Sequence, residues 1–239
     1  MSYNQPLNFT DVVKDHAYPG RGIVIGKSAD ASSAVIAYFI MGRSANSQNR
    51  IFVEENDDVI IHPHKPELVE DPSLIIYAPI RTLGENTIVT NGDQTDTIYD
   101  GLCNNESFSQ ALTKRCFEPD APNYTPRISG MVSRADGDFS YQMSILKSAD
   151  QNGSDCSRYT YTYPALAGYG HFIHTYQANE NPLPSFEGEP RCVSIPNDIE
   201  SFTQEIWNAL NAEYKISLYV RYIDLKTGTI TNRMINKNK

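Results

Sequence analysis

Runs of β-branched and aromatic residues, punctuated by Gly, Pro, Asn and Asp, recur along most of this chain. Residues 22–26, 34–41, 59–61, 74–78 and 87–89 have this texture in the first half, and 127–133, 139–146, 159–163, 171–176 and 216–222 carry it nearly to the C-terminus. Such side chains pack well on a pleated surface, so each run predicts a strand. Two segments follow helical spacing instead. In 107–116, Ser107 can cap the first turn and Phe108, Ala111 and Leu112 fall at i, i+3 and i+4. After Asp198 as a cap, Ile199, Phe202, Ile206 and Leu210 form an apolar stripe that leaves Glu200, Glu205 and Asn208 off it, the pattern of a helix lying on a sheet. Many strands and few helices, without strict alternation, predict an α+β fold.

Two excursions interrupt this pattern. Residues 148–155 are rich in Asp, Gly, Asn and Ser, and 179–190 carry Pro182, Pro184 and Pro190. Neither separates two apolar cores, so residues 1–239 read as a single domain. No internal repeat supports a solenoid or propeller.

Charge narrows the partner. A formal net charge of −9 argues against a broad nucleic-acid footprint, while a local basic pocket can still hold one phosphate. No apolar run approaches the roughly 20 residues that span a bilayer, and residues 1–10 lack the apolar stretch of a secretory signal, so a cytoplasmic protein without a membrane partner is expected. Cys103, Cys116, Cys156 and Cys192 form no CxxC pair and read as reduced thiols. His62 and His64 flank a proline and read as an exposed loop pair, so no metal is assigned.

Three stretches carry more specialised polar groups than a framework needs. The first is GRGIVIG followed by AYFIMGRSANSQNR, in which a strand delivers Arg43 and Arg50 into one loop. Arginine's planar, permanently charged fork suits phosphate, although two surface arginines would look the same. The second is VTNGDQTDTI, a strand running into a turn crowded with hydroxyls, amides and carboxylates. Asn91-Gly92 signals a tight hairpin, and such a turn also suits ribose hydroxyls and a base edge. The third places Cys116-Phe117-Glu118-Pro119 ahead of TPRISG, so that a glutamate precedes a proline-stiffened loop and Arg127 opens the next strand. Glu118 is either a surface carboxylate or one desolvated by Phe117 for acid–base work.

Taken in order, GRGIVIG, AYFIMGRSANSQNR, VTNGDQTDTI and TPRISG resemble the archaeal-type IMP cyclohydrolase family, which also has bacterial members. The similarity is good over about residues 18–147 and general beyond. It implies a four-layer αββα sandwich like that of the N-terminal-nucleophile hydrolases, without their nucleophile: Ser2 lies some twenty residues before the first predicted strand. It also implies a homo-oligomer and an enzyme of the cyclic-amidine hydrolase class. Carried over motif by motif, the family's reactive arginine falls on Arg50, its tyrosine on Tyr77 in the strand before Ile80-Arg81, and its glutamate on Glu118, with Asp120 close by. Arg43, Asn91, Gly92, Thr95, Asp96 and Arg127 match shared positions and are implied to bind substrate.

The implied reaction is closure of 5-formamidoimidazole-4-carboxamide ribonucleotide to IMP with loss of water. Tyr77 is expected to donate to the developing formyl oxyanion, Arg50 to assist it or to hold phosphate, and Glu118 to carry the carboxamide proton. None of these roles requires a metal or an organic cofactor. Two alternatives stay open: a nucleotide-binding regulator without turnover, and an amidohydrolase of the same architecture acting on another small substrate.

Overall fold

The computed structural model describes residues 5–69 and 77–239. In chain order its elements are α1 (Phe9–Val13), β1 (Arg21–Lys27), β2 (Ser33–Met41), α2 (Ala45–Gln48), β3 (Arg50–Glu55), β4 (Asp58–Pro63), β5 (Ile80–Leu83), β6 (Asn86–Thr90), α3 (Gln94–Cys103), α4 (Phe108–Leu112), β7 (Arg127–Ala135), β8 (Asp138–Ser148), β9 (Cys156–Pro164), β10 (Tyr169–His174), β11 (Arg191–Ser194), α5 (Ile199–Ala209), β12 (Lys215–Asp224) and β13 (Ile230–Asn236), with a 3-10 turn at Pro66–Leu68. The strands form two antiparallel sheets, ordered β11-β10-β1-β2-β12-β13 and β3-β4-β5-β6-β7-β8-β9. The fold is α+β, with two antiparallel sheets and few helices.

The continuous apolar run of β2 follows from its place in the first sheet, which is covered on both faces. Ile36, Tyr38 and Ile40 point into a core shared with the second sheet, and Val35, Ala37, Phe39 and Met41 into a core shared with α1 and α5. On the second sheet, Val89, Ile128, Val132, Tyr141 and Ile145 face the inter-sheet core. Ile88, Met131 and Leu146 turn outward onto Ile98 of α3 and Phe108 and Leu112 of α4. The sheets pack closely at Gly130, where a Cβ would lie 2.5 Å from Ile25 Cδ1.

Both predicted helices form. Asp198 caps α5 by accepting from Ser201 N at 2.7 Å, and Phe202 and Ile206 are buried on the first sheet. The segment 107–116 is helical only over Phe108–Leu112, where a reciprocal Ser107/Gln110 box closes the first turn.

Other expectations are corrected. The Asn91-Gly92 turn opens α3 rather than a hairpin. The helix escaped notice because Gln94 and Thr95, both polar, are among its buried residues. Strands β3, β5, β11 and β13 lie outside the runs picked from sequence, and the strand expected over 171–176 ends at His174. Within 74–78, residues 74–76 lie outside the described residues, and Tyr77 sits in the segment leading into β5 rather than in a strand. His62 belongs to β4, not to a loop. No helix among the described residues is long and apolar enough to cross a membrane.

Candidate active site

Chain order places polar side chains at several strand ends, and Tyr77 among them meets Tyr38. Arg21 opens β1, Arg50 opens β3, Tyr77 precedes β5, Asn91 follows β6, Arg127 opens β7 and Tyr176 follows β10. Tyr77 Oη donates to the Asn91 carbonyl at 2.7 Å and lies 3.3 Å from Tyr38 Oη. Because Tyr77 has one proton and Asn91 takes it, Tyr38 is the donor between the two phenols. Tyr38 is fully buried, and burial first, then the neighbouring Tyr77, holds its phenol well above the ordinary tyrosine range.

Two guanidinium groups share this neighbourhood. Arg50 is 9% exposed, and its Nε is buried without a hydrogen-bond partner. Burial, and next the charge of Arg21, lower its proton affinity against the opposing pull of Tyr77, Tyr38 and Glu118. Arg21 likewise has a buried, unpartnered Nε. Burial opposes its charge too, but Tyr77, Tyr176, Glu118 and Tyr38 together outweigh that and raise its proton affinity. Arginine starts so high that both groups stay cationic at any working pH.

Glu118 lies on the loop between α4 and β7, with its side chain 30% exposed and its Oε1 4.0 Å from Arg127 Nη1. A Cβ on Gly92 would come within 2.6 Å of Arg127 Nη1 and of Gln94 Oε1 and 3.4 Å from Glu118 Oε1, so glycine lets the Arg127 and Gln94 side chains close on the turn. Phe117, which one of the two readings of Glu118 had desolvating it, packs its ring edge-on to Tyr124 at 5.5 Å. Asp120 serves the loop itself: its carboxylate accepts from Thr125 N at 2.6 Å and Thr125 Oγ1 at 2.5 Å, while Glu118 N donates to Thr125 O at 2.9 Å. Tyr176 then donates to Thr125 Oγ1 at 2.7 Å. Burial pushes the Tyr176 phenol up to about 12.

The other matched residues divide. The Asn91 side chain is a brace, donating to Pro126 O and accepting from Ile128 N and Gln94 Nε2, so its main-chain carbonyl is what meets Tyr77. Thr95 bonds to Thr90 Oγ1 and Gly92 O inside the α3 turn. Asp96 is exposed and paired with Arg81 at 2.7 Å. Arg127 donates to Asp93 and Gln94, both at 2.7 Å. Burial raises the Asp93 carboxyl, but Arg115 and Arg127 outweigh it and hold the group below its usual range. Arg43 is exposed, bonded to Asn179 Oδ1 and Glu180 O, with its guanidinium 5.3 Å from the Tyr18 ring centroid. The structure thus brings Tyr77, Gly92 and Arg127 to the Asn91 turn with Glu118 beside Arg127, keeps Arg50 within electrostatic reach of Tyr77 and Glu118, uses Thr95 and Asp96 in local bonds, and bonds Arg43 to residues 179–180. It adds Arg21, Tyr38 and Tyr176, which motif reading passed over; Arg21 stood in GRGIVIG as the one charged residue beside a strand start.

Behind Tyr176, His16 Nε2 and His174 Nδ1 both lie 2.8 Å from its carbonyl oxygen, each able to donate to it. Burial pulls His174 down to about 3 and His171 to about 4, and lowers His16 as well. Histidines with folded-state values depressed below 6.5 bind fewer protons than the unfolded chain, so their stability contribution is complete above pH 6.5 and falls on acidification. His174 alone is expected to remove about 1.4 kcal/mol per pH unit below that point. Urea midpoints measured from pH 7.5 to 4.5 should therefore fall steadily below about pH 6.5, and a flat profile would contradict buried neutral imidazoles.

Fold and site together define an α+β protein with a cation-rich, phenol-lined site suited to a small anionic molecule. A family model described as IMP cyclohydrolase-like protein matches residues 18–228, and the chain belongs to that family. Curated relatives agree. The chain is 32% identical over 120 residues to an IMP cyclohydrolase of Methanothrix thermoacetophila, covering 48% of this chain and 58% of that protein. It is 34% identical over 122 residues to one from Methanocella arvoryzae, covering 49% and 58%. A third, from Methanopyrus kandleri, is 32% identical over 115 residues, covering 47% and 57%. The chain spans less than two thirds of the length of the curated relatives it matches.

Proposed function

We propose that this protein is an IMP cyclohydrolase, closing 5-formamidoimidazole-4-carboxamide ribonucleotide to IMP, with a site built on Tyr77, Arg50 and Glu118. The observation that carries the reading is the Tyr38–Tyr77–Asn91 hydrogen-bond chain beside Arg21 and Arg50, in a chain of the IMP cyclohydrolase-like family. The substrate is a small purine-pathway nucleotide. The two sheets, with α1 and α5 packed on one and α3 and α4 on the other, support a sandwich like that of the N-terminal-nucleophile hydrolases. A cytoplasmic homo-oligomer belongs to the same reading.

In the reaction the carboxamide nitrogen attacks the formyl carbon and a C–N bond forms. The C–O bond then breaks and the former formyl oxygen departs as water, its two protons balancing the one lost by the carboxamide nitrogen and the one lost by the formamido nitrogen as the ring C=N forms. Nucleophile and electrophile share one molecule, so holding the formyl group in its cyclising rotamer can contribute roughly 7–11 kcal/mol in favourable cases. Tyr77 is placed to redirect its proton from the Asn91 carbonyl to the developing oxyanion, with Tyr38 donating to Tyr77 from behind. Arg50 supplies fixed positive charge beside it. Glu118, facing Arg127, takes the proton that the carboxamide nitrogen loses. Gly92 gives Arg127 and Gln94 room to close on the turn, and Asn91 fixes the start of β7 beside them. Arg43, exposed beside residues 179–180, is positioned for the outer part of the nucleotide; Thr95 and Asp96 hold the α3 turn in shape. No step transfers electrons, and none calls for a metal or organic cofactor.

Purified protein should convert the formyl nucleotide, with growth of the purine absorbance. A folded protein that binds IMP tightly without any such growth would move the reading to a nucleotide-binding regulator.

A further inference from the structure

The chemistry above uses neither the cysteines nor the polar excursion over residues 148–155, and the fold brings the two together. The loop that carries Glu118, between α4 and β7, runs beside that excursion and the start of β9. Two contacts fix the approach. Arg158 on β9 donates from Nη1 to Cys156 O at 3.1 Å and from Nη2 to Arg115 O at 2.8 Å, so one guanidinium grips the carbonyl of Cys156 and the carbonyl just before Cys116. Further along the same seam Gly153 lies against Tyr124, where a Cβ would come within 2.5 Å of the tyrosine ring.

All four cysteines are free thiols, and these two differ in access. Cys116 is exposed, whereas Cys156 is half-buried and packs against the cluster that α3 and α4 form on the second sheet. Burial, and next the Cys116 thiol, push the Cys156 thiol above the ordinary cysteine range, against the pull of the Phe117 main-chain N–H and of Arg158. Cys192 is shifted by burial alone. Thiol–disulfide exchange needs an accessible thiolate to attack and a second thiol nearby to resolve the mixed disulfide. Cys116 has the access for the first task, and Cys156 has the position for the second.

We propose that Cys116 and Cys156 are a redox modification site, which a small-molecule disulfide closes into an intramolecular bridge tying the Glu118 loop to the start of β9. The Cys116 thiolate attacks one sulfur of the small disulfide, forming a mixed disulfide and expelling the first small thiolate. The Cys156 thiolate then attacks the Cys116 sulfur and expels the second. The protein gives up two electrons and two protons, and the small disulfide is reduced to two thiols. Cys116 lies two residues before Glu118, whose N–H donates to Thr125 O at 2.9 Å, so drawing Cys116 toward β9 pulls on the chain that presents the carboxylate. The effect on turnover rests on the cyclohydrolase reading above; the bridge does not.

The purified chain would be treated with oxidised glutathione, quenched with an alkylating reagent and mapped by peptide mass spectrometry, beside Cys116→Ser, Cys156→Ser and Cys103→Ser. Wild type and Cys103→Ser should yield the peptide crosslinked between Cys116 and Cys156. Cys156→Ser should stop with glutathione on Cys116, and Cys116→Ser should form no bridge. Bridged protein should melt about 4 °C or more above reduced protein, and dithiothreitol should reverse the gain. Turnover of the formyl nucleotide should fall about tenfold or more on bridging, the scale of a proton carrier displaced by a fraction of an ångström. Dithiothreitol should restore it, and Cys116→Ser should not respond to the oxidant. Glutathione retained on Cys116 in wild type without a bridge, or Cys116 modified no faster than Cys103, would overturn the site. A bridge that leaves turnover unchanged would overturn its hold on the Glu118 loop. A bridge that forms and raises melting in a protein whose reduced form shows no turnover would refute the cyclohydrolase reading and leave the site standing.

Discussion

Tyr77→Phe is expected to lower the turnover number by about a hundredfold to a thousandfold, the usual range for losing one aimed oxyanion donor, while the Kd for IMP stays within about threefold. The substitution keeps the ring, which packs against the inter-sheet core, and removes only the hydroxyl that reaches Asn91 at 2.7 Å. Tyr38 loses its partner at 3.3 Å, a stability cost of about 1 kcal/mol. Steady-state kinetics beside calorimetric titration would separate the two effects. An unchanged rate would take Tyr77 out of the chemistry, and a parallel loss of rate and IMP binding would make it a binding residue instead.

The largest stability effect is expected far from the chemistry, at Arg221→Ala. Arg221 is fully buried on β12 and joins the two sheets. Its Nε and Nη2 donate to Tyr219 Oη at 3.0 and 2.9 Å, Nη2 to Asp57 O at 2.6 Å, and Nη1 to Thr82 Oγ1 at 3.2 Å. Tyr219, its phenol pushed up to about 12 chiefly by burial, passes the network on to Glu54 at 3.3 Å. Truncation leaves a cavity and strips partners from a carbonyl and two hydroxyls, a loss of about 3–5 kcal/mol. Urea unfolding should show it as a lowered midpoint at nearly constant slope. A loss below about 1 kcal/mol would mean that the network contributes little beyond filling space.

What could be read from the chain, and what could not, follows from the range of the forces involved. The strands of β1, β2, β7, β8 and β12 were legible because burial on one or both faces imposes β-branched and aromatic runs that need no tertiary information. The α5 stripe was legible for the same reason, and Trp207 beside it packs partly against the helix-side core with Lys215 Nζ 4.5 Å from its ring centroid. Helix α3 was not legible, because polar Gln94 and Thr95 occupy buried positions and satisfy themselves through Asn91, Thr90 and Gly92. Strand β13, whose residues are mostly half-buried, has too mixed a pattern to stand out.

The site shows the same division. The family resemblance led to Arg50, Tyr77, Glu118 and Arg127, yet gave no means of telling a pocket residue from one that braces a turn. Asp96 and Thr95 share a motif with Asn91, but the helix turns Asp96 outward to Arg81. Tyr38 looked like one more apolar position in β2, and Tyr176 like the end of a strand; their hydroxyls gain meaning only through Tyr77 and Thr125, which lie 39 and 51 residues away. Asp120, close enough in sequence to compete with Glu118, is spent on closing the loop through Thr125.

The most direct test follows the atom that changes its bonding. The formyl nucleotide, labelled with carbon-13 at the formyl carbon, would be incubated with the purified protein and monitored by carbon NMR. Ring closure predicts that the formyl signal disappears and the label reappears at the purine ring carbon of IMP, at a rate proportional to protein concentration and slowed about a hundredfold or more by Tyr77→Phe at the same concentration. Label recovered as formate would instead identify an amidohydrolase, and label left in the formyl group would contradict catalysis altogether.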